Sequence, residues 1–398
     1  MDFAFTDEQL MIRDTAESFL AEVSTSEAIR AAMATDTGFD ASLWQRICAD
    51  MYWQAIHIPE EYGGLGLGYV ELVAMLEQMG RFLLCSPFFS TVCLGTNALL
   101  VAGTDEQKAE FLPKICEGTT ATLAYTGKAA GNFGGQWGSE AVEVITKRDG
   151  DNYLLNGTLR YVADGATAQL LIVAARGEGT SGDEGVSLFV IPADTAGVER
   201  TWTPTVDQTR KQGEIVLNNV SVPATALMGA EGEAAANLAK IVDLATVAVA
   251  AEQMGGAAQI MDLTVAYTKE RTQFNRPIAG FQAIKHMAAD MMTRVEVARS
   301  GVYYAACVAQ DALAVTRGEE GELAYELPEA ASVAKSFCSE TYFKNAGDAL
   351  QMHGGVGFTW EYDVHLYFKR AKSSEHFLGN AAYHRERIAQ QLLDTDCQ

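Results

Sequence analysis

Hydrophobic and polar positions follow three different rhythms along the chain. Up to about residue 120 the apolar positions recur at helical spacing: Ile12, Ala16, Phe19 and Leu20 mark one face. That face opens on Thr6-Asp7-Glu8-Gln9, a capping box in which the threonine hydroxyl and the glutamine side chain satisfy the first free amides, with Phe5 and Leu10 placed as a hydrophobic staple. The same letters recur at Thr104–Gln107, before Phe111-Leu112-Pro113. From about 121 to 231 the runs shorten. Ala141–Thr146, Tyr153–Asn156, Leu170–Ala175 and Val186–Pro192 are separated by turn chemistry such as Asp149-Gly150-Asp151 and Asn156-Gly157, which predicts a central antiparallel β domain. Beyond 232 the helical period returns in Ala- and Met-rich segments near 234–270, 280–314, 326–352 and 360–393. The expected division is an N-terminal helical domain (1–120), the β domain (121–231) and a C-terminal helical domain (232–398).

At 398 residues, 48% of them hydrophobic, the chain can fill more than one core. A net charge of −23 argues against nucleic acid or an anionic membrane surface as partner, since both need a basic face. It also requires any anionic ligand to find a locally basic site. The seven cysteines are spread out with no metal spacing, as expected of reduced thiols in a cytoplasmic protein. No run of 18 apolar residues predicts a transmembrane span.

Two glycine- and arginine-bearing stretches carry the candidate chemistry. Gln351-Met352-His353-Gly354-Gly355-Val356-Gly357 lies between helical segments, and its glycines permit positive φ and close backbone approach, as a phosphate cradle requires. A helix C-cap uses the same residues, so the cluster alone leaves both readings open. About 80 residues upstream stands Arg271-Thr272-Gln273-Phe274-Asn275-Arg276, followed by Phe281-Gln282. A guanidinium there could make two charge-assisted bonds to phosphate.

Together the two stretches resemble the paired signatures of the acyl-CoA dehydrogenase family. The resemblance spans nearly the whole length and implies an N-terminal helical domain, a β domain and a four-helix-bundle-like C-terminal domain. It implies FAD, an acyl-CoA substrate, electron-transfer flavoprotein as acceptor and a homo- or heterotetramer. It assigns Arg271, Phe274, Gln282, Gln351, Gly354 and Gly355 to the FAD of a neighbouring subunit, Thr126 and Tyr161 to the chain's own flavin side, and Asp243 and Asn132 to substrate.

The chain departs from the pattern on one side. Where relatives carry Thr-Glu-Pro and Gly-Ser-Asp, it has Thr126-Gly127-Lys128-Ala129-Ala130-Gly131-Asn132, and the strand expected to back the flavin reads Tyr161-Val162-Ala163 without its hydroxyl. The two usual positions of the catalytic base fall on Ala245 and Leu378. Glu252, seven residues and roughly 10 Å along the same helix from Ala245, is the remaining candidate base, with Glu375 and His376 as fallback. A structural role for Glu252, bonding a neighbouring helix, stands beside that. The losses cluster on the half of the site a subunit builds for itself. The expectation is therefore a divergent or partner-dependent subunit in FAD-dependent α,β-desaturation, with a flavin-dependent monooxygenase on the same fold or a catalytically silent structural subunit as alternatives.

Overall fold

The computed structural model describes residues 6–131 and 135–393. Six helices form the first layer: α1 (Asp7–Val23), α2 (Ser26–Met33), α3 (Ala41–Arg46), α4 (Tyr69–Arg81), α5 (Asn97–Ala102) and α6 (Asp105–Cys116). Both anticipated capping boxes form, at Thr6 with Gln9 and at Thr104 with Gln107. Phe5 of the expected staple lies outside the described residues.

The sheet follows with β1 (Ala121–Ala124), β2 (Ile145–Asp149), β3 (Asn152–Ala163), β4 (Leu170–Gly177), β5 (Val186–Pro192), β6 (Val198–Thr203), β7 (Gln212–Pro223) and β8 (Leu227–Met228). Its order is β6-β7-β3-β2-β4-β5-β8, with β1 added along β4. The expected antiparallel sheet is thus corrected to a mixed one, because β1 and β2 both run parallel to β4. The β2–β3 hairpin turns the chain back once, and the connection through Asp164–Gln169 then brings β4 in on the far side of β2, pointing the same way. Strands β4 and β5 are buried on both faces, so they read as unbroken apolar runs. Strands β6 and β7 lack such a run and were not anticipated. The expected strand at Ala141–Thr146 begins instead at Ile145.

The C-terminal part is built on α7 (Ala235–Glu270), whose residues from 241 to 258 are all buried. The short ribbon β9 (Thr272–Gln273) and β10 (Arg276–Pro277) leads to α8 (Gln282–Thr316), α9 (Leu327–His353), α10 (Val364–His376) and α11 (Ala381–Leu393). The single helix expected over 360–393 is broken at Phe377–Asn380, where Leu378 (φ 59°) and Gly379 (φ 98°) turn left-handed and the Asn380 side chain accepts from the amide of Tyr383 to start α11.

Helices α4 and α7 meet backbone to backbone. A Cβ on Gly80 would stand 2.1 Å from the carbonyl oxygen of Glu252, and one on Gly255 would stand 1.9 Å from that of Glu77. No side chain fits between the two helices at these points, which locks the first helical layer onto the bundle. Among the described residues, no helix is long and apolar enough to cross a membrane.

Candidate active site at the two ends of helix α9

The residues expected to contact a dinucleotide gather at one end of the bundle. Tyr267 of α7 stacks on His353 of α9 with ring centroids 4.1 Å apart, which sets the C-termini of the two helices side by side. Arg271 follows one turn later, its amide bonded to the carbonyl of Tyr267, and both Arg271 and Gln351 are exposed. Gly354 adopts φ 62°, and neither it nor Gly355 has a neighbour where a Cβ would go, so their backbone is open to a ligand. Phe274 is 85% exposed, edge-on to Phe281, and Gln282 begins α8 in the open. Phe358 (70% exposed) and Trp360 (63%) extend this apolar surface, with Arg30 and Lys369 near the Trp360 ring. So much uncovered aromatic surface is unusual on a monomer.

The second assembly lies at the other end of α9. A cavity of about 720 Å³ opens between the sheet and the corner after α10, lined by Gly131, Trp137, Tyr161, Val206, Lys372, His376, Phe377 and Asn380 among others. Tyr161 is held at φ 58°, and its hydroxyl lies 1.9 Å from where a Cβ of Gly131 would be, so only glycine fits there. Thr126 is buried, and its hydroxyl donates to the carbonyl of Arg160 at 2.6 Å. Asn132 lies outside the described residues. The volume is that of a small-molecule site, although the motifs expected along it are missing. Lys335, where α9 meets this corner, and His353 at the opposite end are 18 residues apart, or roughly 27 Å of helix.

The fit to FAD divides the same way. The far end of α9 offers a guanidinium, an amide side chain and open glycine backbone, the donor set a diphosphate takes. The cavity offers the aromatic walls of Trp137, Tyr161 and Phe377, which suit a planar ring.

The residues expected to act on substrate are otherwise engaged. Glu252 is buried, and both its oxygens accept from Nη2 of Arg210 at 2.7 and 2.6 Å. Arg210 lies on the loop between β6 and β7 and also sits over the ring of Phe89 at 4.4 Å. Glu252 thus occupies the structural role that stood beside its candidacy as base: both of its oxygens are taken up by a neighbouring guanidinium. Asp243, expected at the substrate, is 2% exposed and paired with Arg387 of α11 at 2.7 and 3.1 Å, a tie between two helices. Burial raises its carboxyl, and Arg387 opposes that rise. Ala245 and Leu378 are 0% and 1% exposed. Glu375 pairs with Lys372 at 2.8 Å, and burial lowers His376 below its ordinary value.

Sequence reasoning missed a buried ionic network at this junction. Arg370 of α10 donates to Asp207 at 3.1 Å and Thr209 at 2.7 Å, fastening the β6–β7 loop to the bundle. Asp164 sits near Arg210 and Arg370, and burial nonetheless pushes its carboxyl up to about 6. A charged residue inside an otherwise buried helical face, Arg370 beside Leu366, Tyr367 and Ala371, was the available signal.

Comparison with known proteins gives a consistent answer. Residues 6–119, 134–220 and 236–393 match the N-terminal, middle and C-terminal domains of acyl-CoA dehydrogenase. The acyl-CoA dehydrogenase IpdE2 of Mycolicibacterium smegmatis is 31% identical over 94% of this chain and 95% of its own. Among solved structures, butyryl-CoA dehydrogenase from Megasphaera elsdenii superposes with a TM-score of 0.87 at 25% identity, over 99% of this chain and 100% of that one. The ChsE4–ChsE5 complex from Mycobacterium tuberculosis gives 0.85 at 27% identity, over 98% and 99%. Layer order, the three matched domains and relatives spanning nearly the whole length agree: this chain belongs to the acyl-CoA dehydrogenase family, flavin-dependent oxidoreductases acting on CH–CH bonds.

Proposed function

We propose that this chain takes part in FAD-dependent α,β-desaturation of an acyl-CoA thioester as a divergent, partner-dependent subunit of a tetramer. FAD, when bound, would supply the acceptor for the β-hydride of the thioester, a base would take the α-proton, and an electron-transfer flavoprotein would be the onward electron acceptor. One observation carries the reading: Ala245 and Leu378, the two places where the family resemblance puts the base, are buried alkyl side chains, and Glu252 and Asp243 on the same helix as Ala245 are closed into ion pairs with Arg210 and Arg387. Arg271, Gln351, Gly354 and Gly355 stand open at the other end of α9. On this reading they hold the dinucleotide of a neighbouring chain, while the cavity beside Tyr161 faces a different flavin. That the ChsE4–ChsE5 neighbour is a complex supports a two-chain arrangement.

The test is flavin absorbance against total protein. Purified alone, the chain should be flavin-poor and inactive on acyl-CoA; co-expressed with a relative that carries the missing glutamate, it should reach about one FAD per two chains. A preparation of this chain alone with one tightly bound FAD per subunit and thioester dehydrogenase activity overturns the proposal.

A further inference from the structure

Lys335 lies on the buried face of α9 with no exposed surface. Its ammonium donates to Oγ of Ser339 at 2.9 Å and to the main-chain carbonyls of Ser374 (3.0 Å), Glu375 (3.1 Å) and Gly379 (2.9 Å). All four acceptors are neutral; the carboxylate of Glu375 is turned to Lys372 instead. A buried charge without a counter-charge is costly, and an alkyl side chain of similar length would avoid that cost. What the ammonium supplies is geometric. The last carbonyls of α10 have no helical partner, and the chain reverses there through two left-handed residues. Lys335 gathers carbonyls from both sides of that reversal.

The residues between those carbonyls include part of the cavity wall: His376 and Phe377 face the 720 Å³ space. Phe377 packs edge-on against Trp137 and Phe89, each with ring centroids 5.9 Å away. A second tie comes from α11, where Nε2 of His384 and the carbonyl of Leu378 lie 2.9 Å apart.

We propose that Lys335 is a positioning residue for this wall: its ammonium, by drawing together the carbonyls of Ser374, Glu375 and Gly379, sets where His376, Phe377 and Leu378 stand. The donor count supports it. An ammonium has three donors to distribute among four acceptors, whereas a neutral amine has two and turns a lone pair towards a carbonyl. Burial lowers the amine to about 7, which measures the cost of holding it away from water. Titratable and charged groups face it from three helices. Cys338 on α9 is pushed up to about 12 by burial. Glu375 on α10 attracts the ammonium, and His376 is lowered by burial. His384 on α11 is held neutral by burial with Arg387 beyond it, and Gln253 reaches in from α7 through Ser339 and Ser374.

Hydrogen exchange over residues 372–384 tests this without any ligand. At pH 6, Lys335→Met should lose protection at the corner about tenfold relative to the unaltered protein while the sheet is unaffected; Lys335→Arg, which keeps the donors, should retain most of it. Trp137 fluorescence, which reports the packing of Phe377, should change in Lys335→Met. The pH dependence has a definite sign. With the folded amine at about 7 and the ordinary value at 10.5, an opening that wets Lys335 takes up a proton in between, so protection in the unaltered protein should not fall from pH 7 to 9. Corner protection in Lys335→Met equal to that of the unaltered protein at pH 6 overturns the proposal. If Lys335→Met does not fold, Lys335→Gln takes its place, and equal corner protection in that variant overturns the proposal likewise.

Discussion

A single guanidinium nitrogen, Nη2 of Arg210, holds both carboxylate oxygens of Glu252, at 2.6 and 2.7 Å, across the seam between the β6–β7 loop and α7. The side chains are 12% and 9% exposed, so the pair is largely removed from water. Its worth lies in what remains when one partner goes.

Arg210→Met should therefore lower the stability of the fold by about 3 kcal/mol, because it strands a buried carboxylate. Glu252→Gln, which keeps a hydrogen bond, should cost roughly 1–3 kcal/mol. Denaturant titration of both variants gives these values. In an assembled, flavin-loaded enzyme, Glu252→Gln should leave the rate of flavin bleaching by acyl-CoA unchanged. Slowing by orders of magnitude would restore Glu252 as the base.

The neighbouring Asp164 sets a pH dependence. Its folded carboxyl titrates at about 6 against an ordinary 3.8, chiefly through burial. The folded chain thus binds the proton first as pH falls. This group's destabilisation is complete above pH 6, is relieved as pH drops towards 3.8 and is absent below. Asp164→Asn should raise the thermal midpoint at pH 8 by a few degrees, and the gain should vanish by pH 4. A gain that is equal at both pH values would contradict the assignment.

At the far end of α9, Arg271→Ala combined with Gln351→Ala should remove bound flavin from the assembled enzyme while far-ultraviolet circular dichroism stays near that of the parent. Both side chains are exposed at helix ends, so little packing is lost. Full flavin retention in the double variant would show that the diphosphate is held elsewhere.

The contact between α4 and α7 has no tolerance for a methyl group. Gly80→Ala or Gly255→Ala must force the helices apart, because each new Cβ meets a carbonyl oxygen near 2 Å. Each should cost on the order of 3 kcal/mol or more, read as a fall in thermal midpoint. Gly301→Ala, with open space at the Cβ position and a helical backbone, should be neutral to slightly stabilising.

Much of this architecture was legible in residue order because helices α7, α8 and α9 and strands β4 and β5 carry long, unmixed signals. Their apolar residues fill a core whatever they pack against. What stayed hidden depends on partners far apart in sequence. Strand β6 is largely exposed and β7 buries only every second residue over most of its length, so neither shows an unbroken apolar run, and the parallel placement of β4 follows from a crossover no local pattern announces. The same holds for the site. Arg271 and Gly354 could be singled out as residue types suited to phosphate. That Glu252 belongs to Arg210, 42 positions away, and Asp243 to Arg387, 144 away, could not be read from spacing.

The glycine contact between α4 and α7 also bears on how this chain can change over time. Three segments with distinct residue patterns invite the idea of three exchangeable modules, yet the first and third share carbonyl-to-glycine contacts that no other side chain can replace. Inheritance therefore acts on them jointly: a new N-terminal segment is acceptable only if it brings a glycine at position 80 opposite Glu252. New specificity is more readily acquired at the aromatic surface around Phe274, Phe358 and Trp360, where substitutions leave that contact untouched.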